Sequence, residues 1–170
     1  EKIHNIKKEI KSEKGREMIK YFCPWYEPNV IRKGTVDLVF SQAVLEHVND
    51  LDSVYKAMYD WVKKDGMISH SIDFQSHGLS KEWNGHWSYS DLTWKIIRGK
   101  RSYLINRESL SSHVNAMEKV GFKILEVVRI RDYDKKNYSG SVKREKLAGR
   151  FKELSDDDFE TTSAYICAKK

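Results

Sequence analysis

Residues 34–73 most constrain the fold, because a strand, a helix and a second strand follow one another there. Residues 36–40 are rich in β-branched and aromatic side chains and follow a Gly-Thr turn, which predicts a buried strand. Apolar residues recur at helical spacing from Leu51, and residues 67–72 form a second strand-like run. Since a βαβ unit of this length joins parallel strands, we predict a parallel sheet with a helix on one face.

The predicted helix has signals at both of its ends. Asn49 or Asp50 can cap its start, because a short polar side chain can accept a hydrogen bond from the first turn. Lys63 and Lys64 suit the negative end of the helix dipole. Gly66 is expected to end the helix.

The rest of the chain is predicted to alternate helices with strands. Ser90 caps a short predicted helix that contains Leu92 and Ile96, and Asn106 is expected to cap a longer one that Gly121 ends. The other predicted elements are an amphipathic helix over 1–16, short strands over 18–23, 122–130 and 161–168, a helix over 106–120 and a helix near 142–154.

The stretch DLVFSQAVLEHV, residues 37–48, resembles a known family. In class I S-adenosylmethionine-dependent methyltransferases the fourth strand reads D-x-V-x-S/C-x-x-V-L-E-H-V/I, and the following helix ends in a W-L-K-P-G-G-like turn. This chain writes that turn WVKKDG, with Asp65 where the family usually has proline. The resemblance covers about residues 18–128 and implies methyl transfer, whereas the periodicity alone indicates only an α/β domain.

The resemblance implies an α/β fold class with part of a Rossmann-like methyltransferase sheet. The expected strands are the family's fourth, fifth, seventh and sixth, mixed parallel with one antiparallel strand and flanked by helices. The family's glycine-rich loop has no counterpart, since no G-x-G-x-G occurs. Because the chain also starts at Glu1 rather than Met, we expect a fragment of a longer gene product that binds cofactor weakly or not at all alone.

Length and composition fit one soluble domain over residues 1–170. It would comprise an N-terminal helix and loop over 1–33, which is displaced in one interpretation, a core over 34–130 with an insertion over 74–105, and a final excursion and strand over 131–170. No apolar run is long enough to span a bilayer and no signal peptide opens the chain, so a cytoplasmic location is expected. The two cysteines are interpreted as reduced thiols.

The family's strand order has a consequence for assembly. Strands one and two would lie between strands three and four, so in their absence the strand over 36–40 has an open edge. An unpaired hydrophobic edge invites pairing with another chain. We therefore expect either a homodimer through this edge or re-docking of residues 1–22.

The resemblance assigns candidate site residues to the end of the fourth strand. Ser41, Gln42, Ala43 and Glu46 would bind the cofactor S-adenosylmethionine. His47 is the candidate catalytic residue, because an imidazole with an ordinary pKa near 6.5 can accept a proton from a hydroxyl nucleophile. In the alternative interpretation, His47 hydrogen-bonds its own loop and Glu46 is a structural acceptor.

The segment after the fifth strand concentrates rings and titratable groups. Such side chains can stack on or hydrogen-bond to a small-molecule acceptor, so the segment is assigned to acceptor binding or to a lid. The alternative is that its tryptophans fill the core. The candidate acceptor-binding residues are Asp73, His77, Trp83, His86, Trp87 and Tyr89.

Charge and spacing favour a small-molecule partner. The formal net charge is +6, but basic residues are interspersed with 25 acidic ones, so nucleic acid is not the expected partner. No metal is expected, because His70 and Asp73 would point to opposite faces of a strand. Arg98, Lys100 and Arg101 form a basic group that is either a solvated surface or a site for an anionic acceptor.

The function that these observations indicate is S-adenosylmethionine-dependent methyl transfer to a small molecule such as a sugar or polysaccharide precursor. The rival interpretations are a non-catalytic methyltransferase-like binding or self-association module and a basic RNA-associated module. Cofactor titration separates the first rival from the enzyme, and steep salt dependence of nucleic-acid retention would favour the second.

Overall fold

The computed structural model of the chain describes residues 2–11, 20–22 and 30–170. Its contacts divide the chain into two compact units, Glu1–Ile31 and Arg32–Lys170, so the single domain expected from length stays a prediction. In the first unit, helix α1 spans Lys2–Ile10 and its Ile3 side chain is exposed. Residues 20–22 are neither helical nor extended in a sheet, and the rest of the strand predicted over 18–23 lies outside the described residues.

The second unit is built on a four-stranded mixed sheet in the order β1-β2-β4-β3. Strand β1 runs parallel to β2, while β4 runs antiparallel to both β2 and β3. This order confirms the predicted fold class, in which the strands correspond to the fourth, fifth, seventh and sixth of the methyltransferase sheet. The strands are β1 Val36–Gln42, β2 Val62–Asp73, β3 Lys123–Ile130 and β4 Ser163–Lys169.

Four α-helices and several short turns connect these strands. The helices are α2 Leu51–Trp61, α3 Asp91–Arg98, α4 Leu110–Val120 and α5 Asp156–Glu160. Single 3₁₀ turns lie at Leu45–His47, Gly85–Ser88, Arg144–Lys146 and Gly149–Phe151. The helix predicted near 142–154 is therefore wrong, since two of these turns occupy that range.

The predicted end of α2 at Gly66 is also wrong. The helix stops at Trp61, and Val62 is already extended and pairs with Val36 of β1. A Cβ added at Gly66 would lie only 3.1 Å from the carbonyl oxygen of Asp37, so this glycine allows close approach of two strands instead of ending a helix. At the other end the prediction is confirmed, because the Asp50 side chain accepts a hydrogen bond from the first turn.

Helix α4 begins later than predicted. Ser109 caps it by accepting a hydrogen bond from the backbone N–H of Ser112, so Asn106 is not its cap. The prediction for α3 is confirmed, since Ser90 accepts a hydrogen bond from the N–H of Thr93. Asn106, which does not cap α4, lies beside the turn that follows β1.

One face of the sheet packs against helices and the other carries exposed apolar side chains. Ile68, His70 and Ile72 alternate along β2 and are fully buried on the side where α2 and α4 pack. The opposite face carries side chains that are between 37% and 64% exposed, namely Leu38, Phe40, Met67, Val128 and Tyr165. Among the described strands, β1 forms one edge of the sheet.

Candidate functional site

The carboxyl ends of β1 and β2 reach the same edge of the sheet, because the two strands are parallel. Both strand ends are followed by a non-glycine residue in the left-handed backbone region, Ala43 with φ 51° and His77 with φ 49°. Each such residue costs about 1 kcal/mol or more and persists only where its surroundings hold it. The N–H of Ala43 donates to the carbonyl of Ser71 at 3.0 Å, which ties the turn after β1 to β2.

Glu46 is the most unusual side chain at this edge. It lies in the turn after β1, is only 2% exposed, and neither of its carboxylate oxygens has a hydrogen-bond partner among the described residues. Burial raises the pKa of Glu46, and the negative charge of Asp73 adds to this, while its own backbone N–H, His47 and His77 act in the opposite direction. A buried carboxylate without a donor is costly, so this position favours a ligand that brings one.

Asp73 and His77 form an ion pair next to Glu46. His77 Nε2 lies 3.2 Å from Asp73 Oδ2, and this hydrogen bond raises the pKa of His77. Burial acts to raise the pKa of Asp73, but hydrogen bonds from His77 and from Gln75 lower it overall. The carboxylate therefore stays charged and holds the imidazole in the protonated form over a wider pH range.

His47 completes this group. Its ring meets that of His77 edge to face, with centroids 5.4 Å apart, and its buried Nδ1 has no hydrogen-bond partner in the part of the chain that the structure describes. The structure thus brings together four predicted site residues, two from each strand end: Glu46, His47, Asp73 and His77. We call them the strand-end cluster.

Asn106 supports the strand-end cluster and was not recognised from the sequence as a site residue. Its side-chain amide donates to the carbonyls of Leu45 and Val48, both at 2.8 Å, and its backbone N–H donates to the carbonyl of Glu46 at 2.6 Å. These three bonds fix the turn that carries Glu46 and His47. The sequence offered only a polar side chain directly after the apolar residues Leu104 and Ile105, and that signal was interpreted as a helix cap.

The remaining predicted cofactor residues differ from one another in their surroundings. The Ser41 hydroxyl is bonded to His70 Nδ1 at 2.8 Å, so it is already engaged on the helix-covered side of the sheet. Gln42 and Ala43 are exposed next to the strand-end cluster. Backbone groups and side chains of these two residues are therefore better placed to meet a ligand than the Ser41 hydroxyl.

The aromatic residues of the insertion pack mainly against protein. Trp83 and Trp87 are buried with ring centroids 5.7 Å apart, and the Trp87 indole N–H donates to the carbonyl of Arg107 at 3.1 Å. Tyr89 is half-buried, stacks on Trp94 and donates its hydroxyl hydrogen to the carbonyl of Leu79. This packing favours the alternative in which the tryptophans fill the core, and their contact with an acceptor stays a prediction.

His86 is buried behind this aromatic group. Burial and the charge of Arg107 lower its pKa to about 3, so the imidazole is neutral at physiological pH. Its Nδ1 has no hydrogen-bond partner within the described part of the chain. In residues 2–11, 20–22 and 30–170, no three metal-binding side chains converge and no helix is long and apolar enough to cross a membrane.

An α/β sheet of this strand order with polar side chains at its parallel strand ends defines the class of Rossmann-like methyltransferases. A family model described as "Methyltransferase domain" matches residues 2–127, and the chain belongs to that family. This match confirms the family predicted from the DLVFSQAVLEHV stretch. A search of curated proteins gave no match.

Solved structures agree with this assignment at the level of the fold. An S-adenosylmethionine-dependent methyltransferase from Mesorhizobium loti is 14% identical, with a TM-score of 0.50 over 82% of this chain and 64% of that one. A Listeria monocytogenes protein to which the same activity is attributed is 15% identical, with a TM-score of 0.52 over 98% of this chain and 76% of that one. The chain thus spans only part of each of these proteins. Their descriptions and the family match agree with the predicted cofactor, S-adenosylmethionine.

Proposed function

We propose that this chain forms one wall of a site for S-adenosylmethionine-dependent methyl transfer to a small-molecule acceptor. The carrying observation is the buried Glu46 carboxylate, whose oxygens have no hydrogen-bond partner among residues 2–11, 20–22 and 30–170. It lies with His47, Asp73 and His77 at the ends of two parallel strands. Membership of the methyltransferase domain family supplies the reaction class.

The residues at the strand ends fit the proposed cofactor. S-adenosylmethionine carries an ammonium group, a sulfonium and ribose hydroxyls, and when bound it supplies an activated methyl group. The Glu46 carboxylate can accept a hydrogen bond from the ammonium group or from a hydroxyl, which would relieve the cost of its burial. Gln42 and Ala43, exposed in the adjoining turn, would flank the same ligand.

His47 and the Asp73–His77 pair would bind and activate the acceptor. His47 is the proposed general base that removes a proton from the attacking hydroxyl. Asp73 accepts and His77 donates hydrogen bonds, which is the combination that orients sugar hydroxyls, so a sugar or polysaccharide precursor remains the proposed acceptor. The protein's main contribution would be positioning.

Titration of the chain with S-adenosylmethionine, followed by backbone amide NMR shifts, tests the proposal. Saturable shifts are expected at residues 41–47 and 73–77, and Glu46→Gln should weaken the affinity about tenfold because one charge-assisted hydrogen bond is lost. Glu118→Gln, at an exposed position on α4, is the matched control and should bind like the unaltered chain. Equal affinities for both variants, or saturable shifts confined to residues outside the two strand ends, would contradict the proposal.

Self-association is a second candidate property, favoured by the exposed apolar face. Phe40 and Leu38 are 64% and 55% exposed on the edge strand β1, where a second copy could pair. In sedimentation velocity we expect a concentration-dependent dimer that Phe40→Asp reduces to monomer. Leu92→Asp, at a 71% exposed position of α3, serves as the control and should leave the dimer intact. A monomer at every concentration would refute this assembly.

A further inference from the structure

A second concave surface lies beside the turn that carries the strand-end cluster. It is a cavity of about 570 Å³, within the range of small-ligand sites. Six cationic side chains line it against a single carboxylate, that of Asp91, although the whole chain has 31 basic and 25 acidic residues. The six are Lys95, Arg98, Lys100, Arg101, Arg107 and Arg150. We call it the basic cavity.

Three of these cations are not used by the fold. Lys95, Arg98 and Lys100 form no ion pair with any described residue, whereas Arg150 pairs with Glu108 at 3.0 Å. Arg101 donates to the carbonyls of Ile97 and Arg98, and so covers the negative C-terminal end of α3 that would otherwise repel an anion. The cavity therefore keeps a surplus of positive charge that the protein itself does not neutralise.

Arg107 gives the basic cavity a fixed, buried component. It is 3% exposed, lies between the rings of Trp94 and Phe151 at 4.7 and 5.1 Å, and its Nε has no partner among the described residues. Its backbone is in the left-handed region with φ 70°, which is unfavourable for a side chain of this size. Its guanidinium also donates to the carbonyl of Tyr89 at 2.8 Å and pairs with Asp91 at 2.7 Å, so the cation is held in a fixed position beside the cavity.

The basic cavity adjoins the strand-end cluster through two chain neighbours. Asn49, two residues after His47, lines the cavity, and Arg107 directly follows Asn106, which holds the turn carrying Glu46. We propose that the basic cavity binds the phosphoryl group of a phosphorylated small-molecule acceptor, whose remaining part extends toward His47. The identity of this ligand as acceptor rests on the proposed function, whereas the anion site stands on its own residues.

A small molecule fits better than a nucleic acid. Arginine and lysine clusters recognise phosphate groups, but binding of a polymer needs a continuous basic stripe. Several basic residues elsewhere on this unit are paired with acids, as in Arg131 with Asp157 at 2.8 Å and Arg144 with Asp156 at 2.7 Å. In the cavity, by contrast, six cations line one surface together with the single carboxylate of Asp91.

Calorimetric titration with inorganic pyrophosphate tests the inference without requiring turnover. Lys95→Gln combined with Lys100→Gln removes two exposed charges from the basic cavity and should weaken pyrophosphate binding about tenfold or more. Lys135→Gln combined with Lys136→Gln removes two exposed lysines outside the cavity lining and should change the affinity less than twofold.

Each other result has a defined meaning. Equal weakening in both double variants would show general charge attraction and overturn the inference, as would the absence of saturable binding. Tighter binding of a single-stranded RNA, lost in the cavity variant, would replace the small-molecule ligand with a nucleic acid. Glu46→Gln should leave pyrophosphate binding unchanged, so failure of the methyl-transfer proposal can be told apart from failure of the anion site.

Discussion

Two pairs of histidines in the same unit have opposite surroundings. Behind the sheet, His70 Nδ1 lies 2.8 Å from the Ser41 hydroxyl and His113 Nδ1 lies 2.8 Å from the Tyr55 hydroxyl. Both imidazoles are fully buried, and burial lowers the pKa of His70 to about 4 and that of His113 to about 3. No carboxylate among the described residues pairs with either ring, so both remain neutral.

At the strand ends, His47 and His77 lie beside the carboxylates of Glu46 and Asp73. The hydrogen bond that His77 donates to Asp73 raises the pKa of His77, so this imidazole gains a proton more readily than the buried pair. The comparison teaches that burial against hydroxyl groups keeps a histidine neutral, whereas a hydrogen-bonded carboxylate, as at His77, favours its protonated form.

The largest expected effect that separates the two pairs is loss of stability in acid. The unfolded chain binds protons at His70 and His113 below pH 6.5, while the folded chain does not until about pH 4 or 3, so stability falls as the pH falls through this window. Each buried imidazole can contribute up to about 1.4 kcal/mol per pH unit to the free energy of unfolding. Urea unfolding between pH 7 and pH 4 would measure this slope.

Two variants, one from each pair of histidines, show which pair causes the acid slope. His113→Leu should flatten the acid slope. His77→Gln should leave it unchanged, because the raised pKa of His77 contributes stability that is full below pH 6.5 and is lost only as the pH rises through its folded pKa. Between its ordinary and its raised pKa, Glu46 makes the folded chain more stable as the pH falls, which opposes the effect of the buried histidines. The difference in slope between the two variants is therefore the informative quantity. Equal slopes in both variants would contradict the comparison.

Local pattern was sufficient to predict the βαβ unit, and the family resemblance added the strand order and the residues at the strand ends. The β-branched run before Ser41, the helical spacing from Leu51 and the family motif together predicted the strand order and placed Glu46 and His47 at the end of β1. The βαβ unit was predictable from local sequence because it depends on short-range periodicity and on the near-fixed handedness of such units.

Long-range contacts explain what the sequence did not predict. Asn106 supports a turn about 60 residues earlier in the chain, and Gly66 is required by the approach of a neighbouring strand, so neither role is visible in local sequence. Trp87 was interpreted as an acceptor contact because its ring suits stacking. In the structure this ring stacks on Phe151, 64 residues later in the chain, and its contact with an acceptor stays a prediction.

The most direct test of the strand-end site is a carbon-13 NMR titration of the Glu46 carboxyl group with and without S-adenosylmethionine. The account predicts that the raised pKa of Glu46 falls toward its ordinary value when the cofactor is added, because the ligand's positive charge and donors stabilise the carboxylate. The carboxyl resonance of Glu118 should not respond to the cofactor. A Glu46 pKa that is unchanged at saturating cofactor would contradict the claim that this carboxylate binds the cofactor.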